Sequence, residues 1–246
     1  MAQAVKIMAL ETSASRGSVA LGEGAQVFSE REFTADQKHA GELLATMAAL
    51  LGEQGWEVGD LEHVYVSAGP GSFTGLRIGV TAAKVLGWAQ VTKLVAVVST
   101  EAAVLNVDEA MGGQEVRYGA VLIDAKRKGV YGAVYERVAS GDFSGSYIPG
   151  WRCVAAPRVM TAGELKEYKY RPMVVLGDGL RVHGEALAGE GVLHLGEEFW
   201  QPRARNVLRC GWLRAEGGLF VKPEELGPIY LRRPEAEERW GKRHKA

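Results

Sequence analysis

Two stretches of this sequence follow one plan. Met8–Leu21 (MALETSASRGSVAL) and Val121–Val134 (VLIDAKRKGVYGAV) each run from an apolar strand through an acid, Glu11 or Asp124, and a glycine-containing turn into a second apolar strand. Farther along, each half has another apolar strand that breaks at a small glycine turn, SAGPG at 67–71 and LGDG at 176–179. Hydrophobic spacing fills in the order strand, strand, strand, helix, strand, helix in each half. The repetition predicts an α/β fold built from a duplicated unit with mixed sheets. Its two lobes span 1–112 and 113–231, and a charge-dense basic tail follows at 232–246. One larger mixed sheet with coincidental turns is the alternative. Helices are expected over Lys38–Gln54, from the glycine loop to Gln90, and near 100–110, 161–168, 181–188 and 203–217. Thr161 and Glu164 form a capping box at the fourth of these.

Composition narrows the function classes. Of 246 residues, 47% are hydrophobic and 24% charged, which suits a folded core. No apolar run reaches the roughly 20 residues of a membrane helix. Lys+Arg 29 against Asp+Glu 30 gives a net charge of -1, which argues against strong non-specific nucleic-acid binding by the whole chain. Cys153 and Cys210 sit in no paired motif, and Glu11 soon interrupts the first apolar run. A cytoplasmic chain without a leader peptide is expected. The five histidines form no HExxH, HxxxH or HxH, so a metal site is not expected.

The loop Gly69–Gly75 (GPGSFTG) ends a strand and opens a helix, with Ser72 or Thr74 as its cap and Arg77 in its first turn. Gly69, Gly71 and Ser72 suit either an anion cradle or a turn that lets strand and helix pack closely. It is neither a Walker A nor a GxGxxG motif. Glu11 and Asp124, at matching strand ends, would face a common cleft and hold Mg²⁺ on a nucleotide, or else bond their own turns. In the helix after the loop, Gly75, Gly79, Ala83 and Gly87 recur every four residues with Ala82 beside them. Glycine in a helix costs up to about 1 kcal/mol relative to alanine, so close packing is the natural compensation. The chain's own sheet and a second protein both remain candidates for what packs there. Leu43, Met47 and Leu50 of the preceding helix supply a bulky stripe beside it.

ALETSASRGSVAL, His39 with Glu42 and Leu43, SAGPGSFTGLRIGVTAAKVLGWA, VVSTEAAV, IDAKRKGVYGAVY, LGDG and PIYLRR together resemble the TsaB (YeaZ) family, from Val5 to about Glu237. The resemblance implies a duplicated ribonuclease-H-like fold of the actin/Hsp70 (ASKHA) type. It implies a non-catalytic scaffold subunit in the formation of N6-threonylcarbamoyladenosine at position 37 of ANN-decoding tRNAs. The implied partners are a TsaD-type catalytic subunit that binds metal and ATP, and a TsaE-type ATPase. A homodimer through the same two helices is implied for the isolated chain, and tRNA contact only through the complex. The implied interface comprises His39, Leu43, Met47, Leu50, Gly75, Arg77, Gly79, Ala82, Ala83, Leu86 and Gly87. No catalytic residue, metal or resident cofactor is implied, beyond ATP or ADP at the partner interface. Ser99 and Ala103 stand where the catalytic paralogue has its metal histidines, and neither side chain replaces imidazole. Glu11 replaces an aspartate common in relatives, and Lys126 an arginine. The competing readings are a stand-alone ATPase or kinase of the same fold and an M22-type metallopeptidase.

Overall fold

In the computed structural model the described residues are 5–34, 39–90, 92–126, 129–139, 146–161, 163–164, 167 and 170–232. Five strands form the first sheet: β1 (Lys6–Glu11), β2 (Arg16–Glu23), β3 (Gln26–Thr34), β4 (His63–Gly69) and β5 (Lys93–Val98). Their order is β3-β2-β1-β4-β5. β1 runs antiparallel to β2 and parallel to β4, because a tight turn makes the first connection and a helix the second. The second sheet contains β6 (Tyr118–Asp124), β7 (Val130–Arg137), β8 (Trp151–Met160), β9 (Met173–Leu176) and β10 (Val192–His194). Its order β10-β9-β6-β7-β8 repeats the first, with β6–β7 antiparallel and β6–β9 parallel. Two sheets of one strand order make this a duplicated ribonuclease-H-like fold, and the single-sheet alternative falls.

Alternation along the strands decides what covers each face. Met8, Leu10, Val19, Leu21, Val64 and Val66 face α1 (His39–Gln54) and α2 (Phe73–Gln90). The intervening Ile7, Ala9, Ala20, Tyr65, Val95 and Val97 face the other way. There they meet α3 (Ser99–Val104), α4 (Asn106–Met111) and, from the second sheet, Val121, Ala133, Tyr135 and Leu176. The two lobes therefore share one continuous apolar seam. On the outer face of the second sheet, Leu122, Val134 and Val175 pack on Leu180 and Leu187 of α5 (Leu180–Leu187).

Several boundaries move. The expected helix near 100–110 divides at Leu105 into α3 and α4. β8 is longer than its apolar start suggests, and β10 is too short to leave a pattern. The last helix, α6 (Ala204–Glu216), expected in the second lobe, packs on β1, β2, β4 and β5 of the first. Gly211 makes this possible, since a Cβ there would stand 2.4 Å from the Tyr65 ring. Residues 204–231 thus return to the first lobe. The Thr161–Glu164 capping box forms: Thr161 N donates to Glu164 Oε2 at 2.7 Å and Glu164 N donates to Thr161 Oγ1 at 3.3 Å. Much of the remaining 161–168 segment lies outside the described residues, as does 233–246 of the basic tail.

Candidate functional site

Glu11 ends β1 in the centre of the first sheet and is 0% exposed. Its Oε1 accepts the Ser13 backbone N–H at 2.5 Å, while Oε2 and Ser13 Oγ are buried without a hydrogen-bond partner. Burial pushes this carboxyl above its ordinary range, against a smaller lowering by Ser13 and Ser67. Ser67 Oγ in turn lies 2.7 Å from Ser99 Oγ. The expectation that Glu11 faces an open cleft is corrected: the acid is fully buried, with Ser13 and Ser67 beside it.

The glycine loop does the sealing. Ser72 N donates to Ser13 O at 2.7 Å, and Thr12 Oγ1 donates to Gly75 O at 2.8 Å. A Cβ on Gly71 would stand 2.3 Å from Ser13 O, and one on Gly75 would stand 1.9 Å from Thr12 O. Ser72 caps α2, its Oγ accepting from Gly75 N at 3.3 Å. The loop spends these groups on its own chain. Of its two readings, the close-packing turn is the one realised at Gly71, Ser72 and Gly75. Gly69, also in this loop, is held at φ 117 beside Ile229, to whose O a Cβ there would come within 2.7 Å.

The Asp124 turn is open by comparison, with the carboxylate 21% exposed. Asp124 Oδ1 accepts Lys126 N at 2.7 Å, Oδ2 accepts Lys126 Nζ at 2.8 Å, and Asp124 N donates to Asp178 Oδ1 at 2.8 Å. Burial works to raise the Asp124 pKa, but the Lys126 bonds outweigh it and hold the carboxyl below its ordinary range. Asp178 is pushed the other way, first by burial and then by the neighbouring Asp124 charge. Glu11 and Asp124 are thus not a matched pair of ligands. Among the described residues no group of three or more His, Cys, Asp or Glu is placed to hold a metal ion.

The small-residue stripe of α2 faces inward. A Cβ on Gly79 would stand 2.3 Å from Thr12 Oγ1, and one on Gly87 would stand 2.8 Å from Leu94 Cδ1. Ala83 and Leu86 are buried with them, as are Leu43, Met47 and Leu50 of α1. These eight residues of the expected interface, Gly75 included, are buried within the single chain. Ala82 is half-buried and Arg77 exposed; the side chain of His39 lies outside the described residues. What the two helices present outward is a different set: Leu44 at 59% exposure, Val85 at 53% and Trp88 at 60%. Gly41, Ala45, Ala48 and Gly52 are exposed beside Leu44 on α1. Among the described residues, no heavy atom outside the helix stands within 4 Å of where a Cβ on Gly41 or Gly52 would sit. Period analysis missed this face because it ranks apolar residues by where a core would want them, and Leu44 neighbours Leu43 in sequence while pointing away from it.

Ser99 and Ala103 are fully buried on α3 within the seam, so the space that metal histidines would need is filled. The seam also holds polar side chains that leave no local pattern in the sequence. Arg214 of α6 pairs with Glu101 of α3, both largely buried, and Thr100 Oγ1 lies 2.7 Å from Tyr135 Oη.

Residues 32–145 match the family model described as TsaD, tRNA N6-adenosine threonylcarbamoyltransferase. The chain is 27% identical over 238 residues to the tRNA threonylcarbamoyladenosine biosynthesis protein TsaB of Bacillus subtilis, covering 95% of this chain and 97% of that one. It is 25% identical over 228 residues to TsaB of Escherichia coli, covering 93% and 95%. In structure it resembles YeaZ from Pseudomonas aeruginosa, with a TM-score of 0.77 and 24% identity, over 92% of this chain and 100% of that one. That likeness agrees with the duplicated fold read from the strand order. The chain belongs to the TsaB (YeaZ) family of tRNA threonylcarbamoyladenosine biosynthesis proteins.

Proposed function

We propose that this protein acts as a non-catalytic docking subunit for threonylcarbamoyl transfer to tRNA, binding and ordering a TsaD-type catalytic subunit through the outward face of α1 and α2. One observation carries the proposal: three large apolar side chains, Leu44 of α1 and Val85 and Trp88 of α2, stand more than half exposed, and Leu44 lies on a row of exposed small residues of its own helix. Exposed apolar clusters of this kind mark interaction surfaces. Gly41 and Gly52 weaken α1 by up to about 1 kcal/mol each, with nothing among the described residues packed on them in return. A partner helix lying along that row would close the gap. Interfaces of this class bury about 1,200–2,000 Å² in total.

The same face would carry the homodimer of the isolated chain, so homodimer and heterodimer exclude one another on it. A TsaE-type ATPase would join the heterodimer, and tRNA would meet this chain through the complex. ATP or ADP, where bound, would belong to the partner interface. The ATPase or kinase reading loses support from Glu11, whose carboxyl is sealed rather than presented. The metallopeptidase reading loses it from Ser99 and Ala103. Titration calorimetry with a TsaD-type subunit tests the proposal. The double variant Leu44→Glu/Val85→Glu is expected to lose at least about tenfold in affinity with its fold intact. Unchanged affinity would reject this face.

A further inference from the structure

The chain after α6 has no part in the reading above. From Gly217 it turns back along the first lobe, where Val221 N donates to Leu94 O at 2.9 Å on the edge strand β5. Leu226 is then buried in the core beneath α1 and α2. Beyond Leu226 the character changes. Ile229 N donates to Ala68 O at 2.6 Å at the end of β4. The Tyr230 ring stacks on Phe73 with centroids 4.5 Å apart, and its hydroxyl accepts from Arg77 Nε at 3.1 Å. Arg232 reaches the other lobe, donating to Ala125 O at 3.2 Å and Lys126 O at 3.5 Å. Arg232 had been expected at the start of a solvated tail; it is docked instead.

We propose that Gly227–Arg232 is a cis-acting strap, hinged at the buried Leu226, which ties the glycine loop of the first lobe to the Asp124 turn of the second and opens as one unit. Its anchors among the described residues include a backbone bond, a ring stack and surface polar contacts, each weak alone, and Ile229 and Tyr230 remain more than a third exposed. Arg77 is the pivot. Its guanidinium also lies 3.9 Å from the Phe73 ring centroid, and it sits on α2 four residues before Thr81 and eight before Val85, on the outward side. A carboxylate brought to Arg77 would compete with the phenol and loosen the strap at its centre. This last link rests on the docking face proposed above, whereas the strap itself does not.

Amide hydrogen exchange on the full-length isolated chain, resolved at Ile229 by NMR, is the test. Arg232→Ala removes the side chain that reaches the far lobe. If the strap opens as a unit, this variant and Arg77→Ala each speed exchange at Ile229 by about tenfold, while the core amide of Val66 is unchanged. Unaltered exchange at Ile229, or an equal rise at Val66, would overturn the proposal. Because no partner is present, either result stands whatever becomes of the docking face.

Discussion

Glu11 and Asp124 end equivalent central strands in two sheets of identical order, and their surroundings have made them opposite acids. At Glu11 the first lobe folds a glycine loop down onto the turn, so the carboxyl is enclosed and burial pushes its pKa up. At Asp124 the second lobe leaves the turn partly open and supplies a lysine, so the carboxyl is favoured charged. A duplicated fold thus fixes where an acid stands, and the covering loop decides what that acid can do.

The largest effects should come from undoing the cover. Gly75→Ala or Gly79→Ala drives a methyl into Thr12 and is expected to cost about 3 kcal/mol, read by urea unfolding. Gly177→Ala in the second lobe should cost a similar amount, since Gly177 holds φ 113 with Leu122 O 2.1 Å from a Cβ. Losses below about 0.5 kcal/mol in the first pair would mean the loop does not press on the turn.

The pH dependence separates the two acids next. With its folded pKa raised above the ordinary 4.5, Glu11 keeps a proton that the unfolded chain has released. Its contribution is complete below 4.5 and is lost as pH rises through the folded value. Glu11→Gln should therefore flatten the fall in stability above that pH and be at least as stable as wild type at neutrality. A stability loss of about 2 kcal/mol or more at neutral pH would show that the charge is needed. Asp124 works with the opposite sign: its contribution is present above the ordinary 3.8 and is lost as pH falls through the depressed value. Asp124→Asn should cost only about 0.5 kcal/mol, as befits a partly exposed pair, and only above that range. The smallest effect belongs to the outward face, where Leu44→Glu/Val85→Glu should leave the unfolding midpoint within about 0.5 kcal/mol of wild type.

How far the sequence reveals this molecule differs between its levels. The duplication was legible because apolar strands that end in an acid and a glycine leave a strong local pattern, and β1, β2, β6 and β7 fell where expected. α6 was placed in the wrong lobe because nothing local in Ala204–Glu216 says which sheet it covers; that depends on Gly211 meeting Tyr65, a contact far apart in the chain. The small-residue stripe of α2 is ambiguous for a related reason. Small residues every four positions signal a close approach without naming the approaching body, and at Gly75, Gly79 and Gly87 that body is the chain's own Thr12 and Leu94. The outward glycines, Gly41 and Gly52, lacked the regular spacing that drew attention to α2. Glu101 and Arg214 pair across 113 positions and have no local signature at all.

In the function proposed above, this chain works through the outward face of α1 and α2 and not through the acid turn of its first lobe. Threonylcarbamoyl transfer to tRNA, reconstituted with a TsaD-type subunit and a TsaE-type ATPase, compares the two directly in Glu11→Gln and Leu44→Glu/Val85→Glu. Full activity in the first and loss of activity in the second is the predicted result; loss in the first with full activity in the second would contradict it.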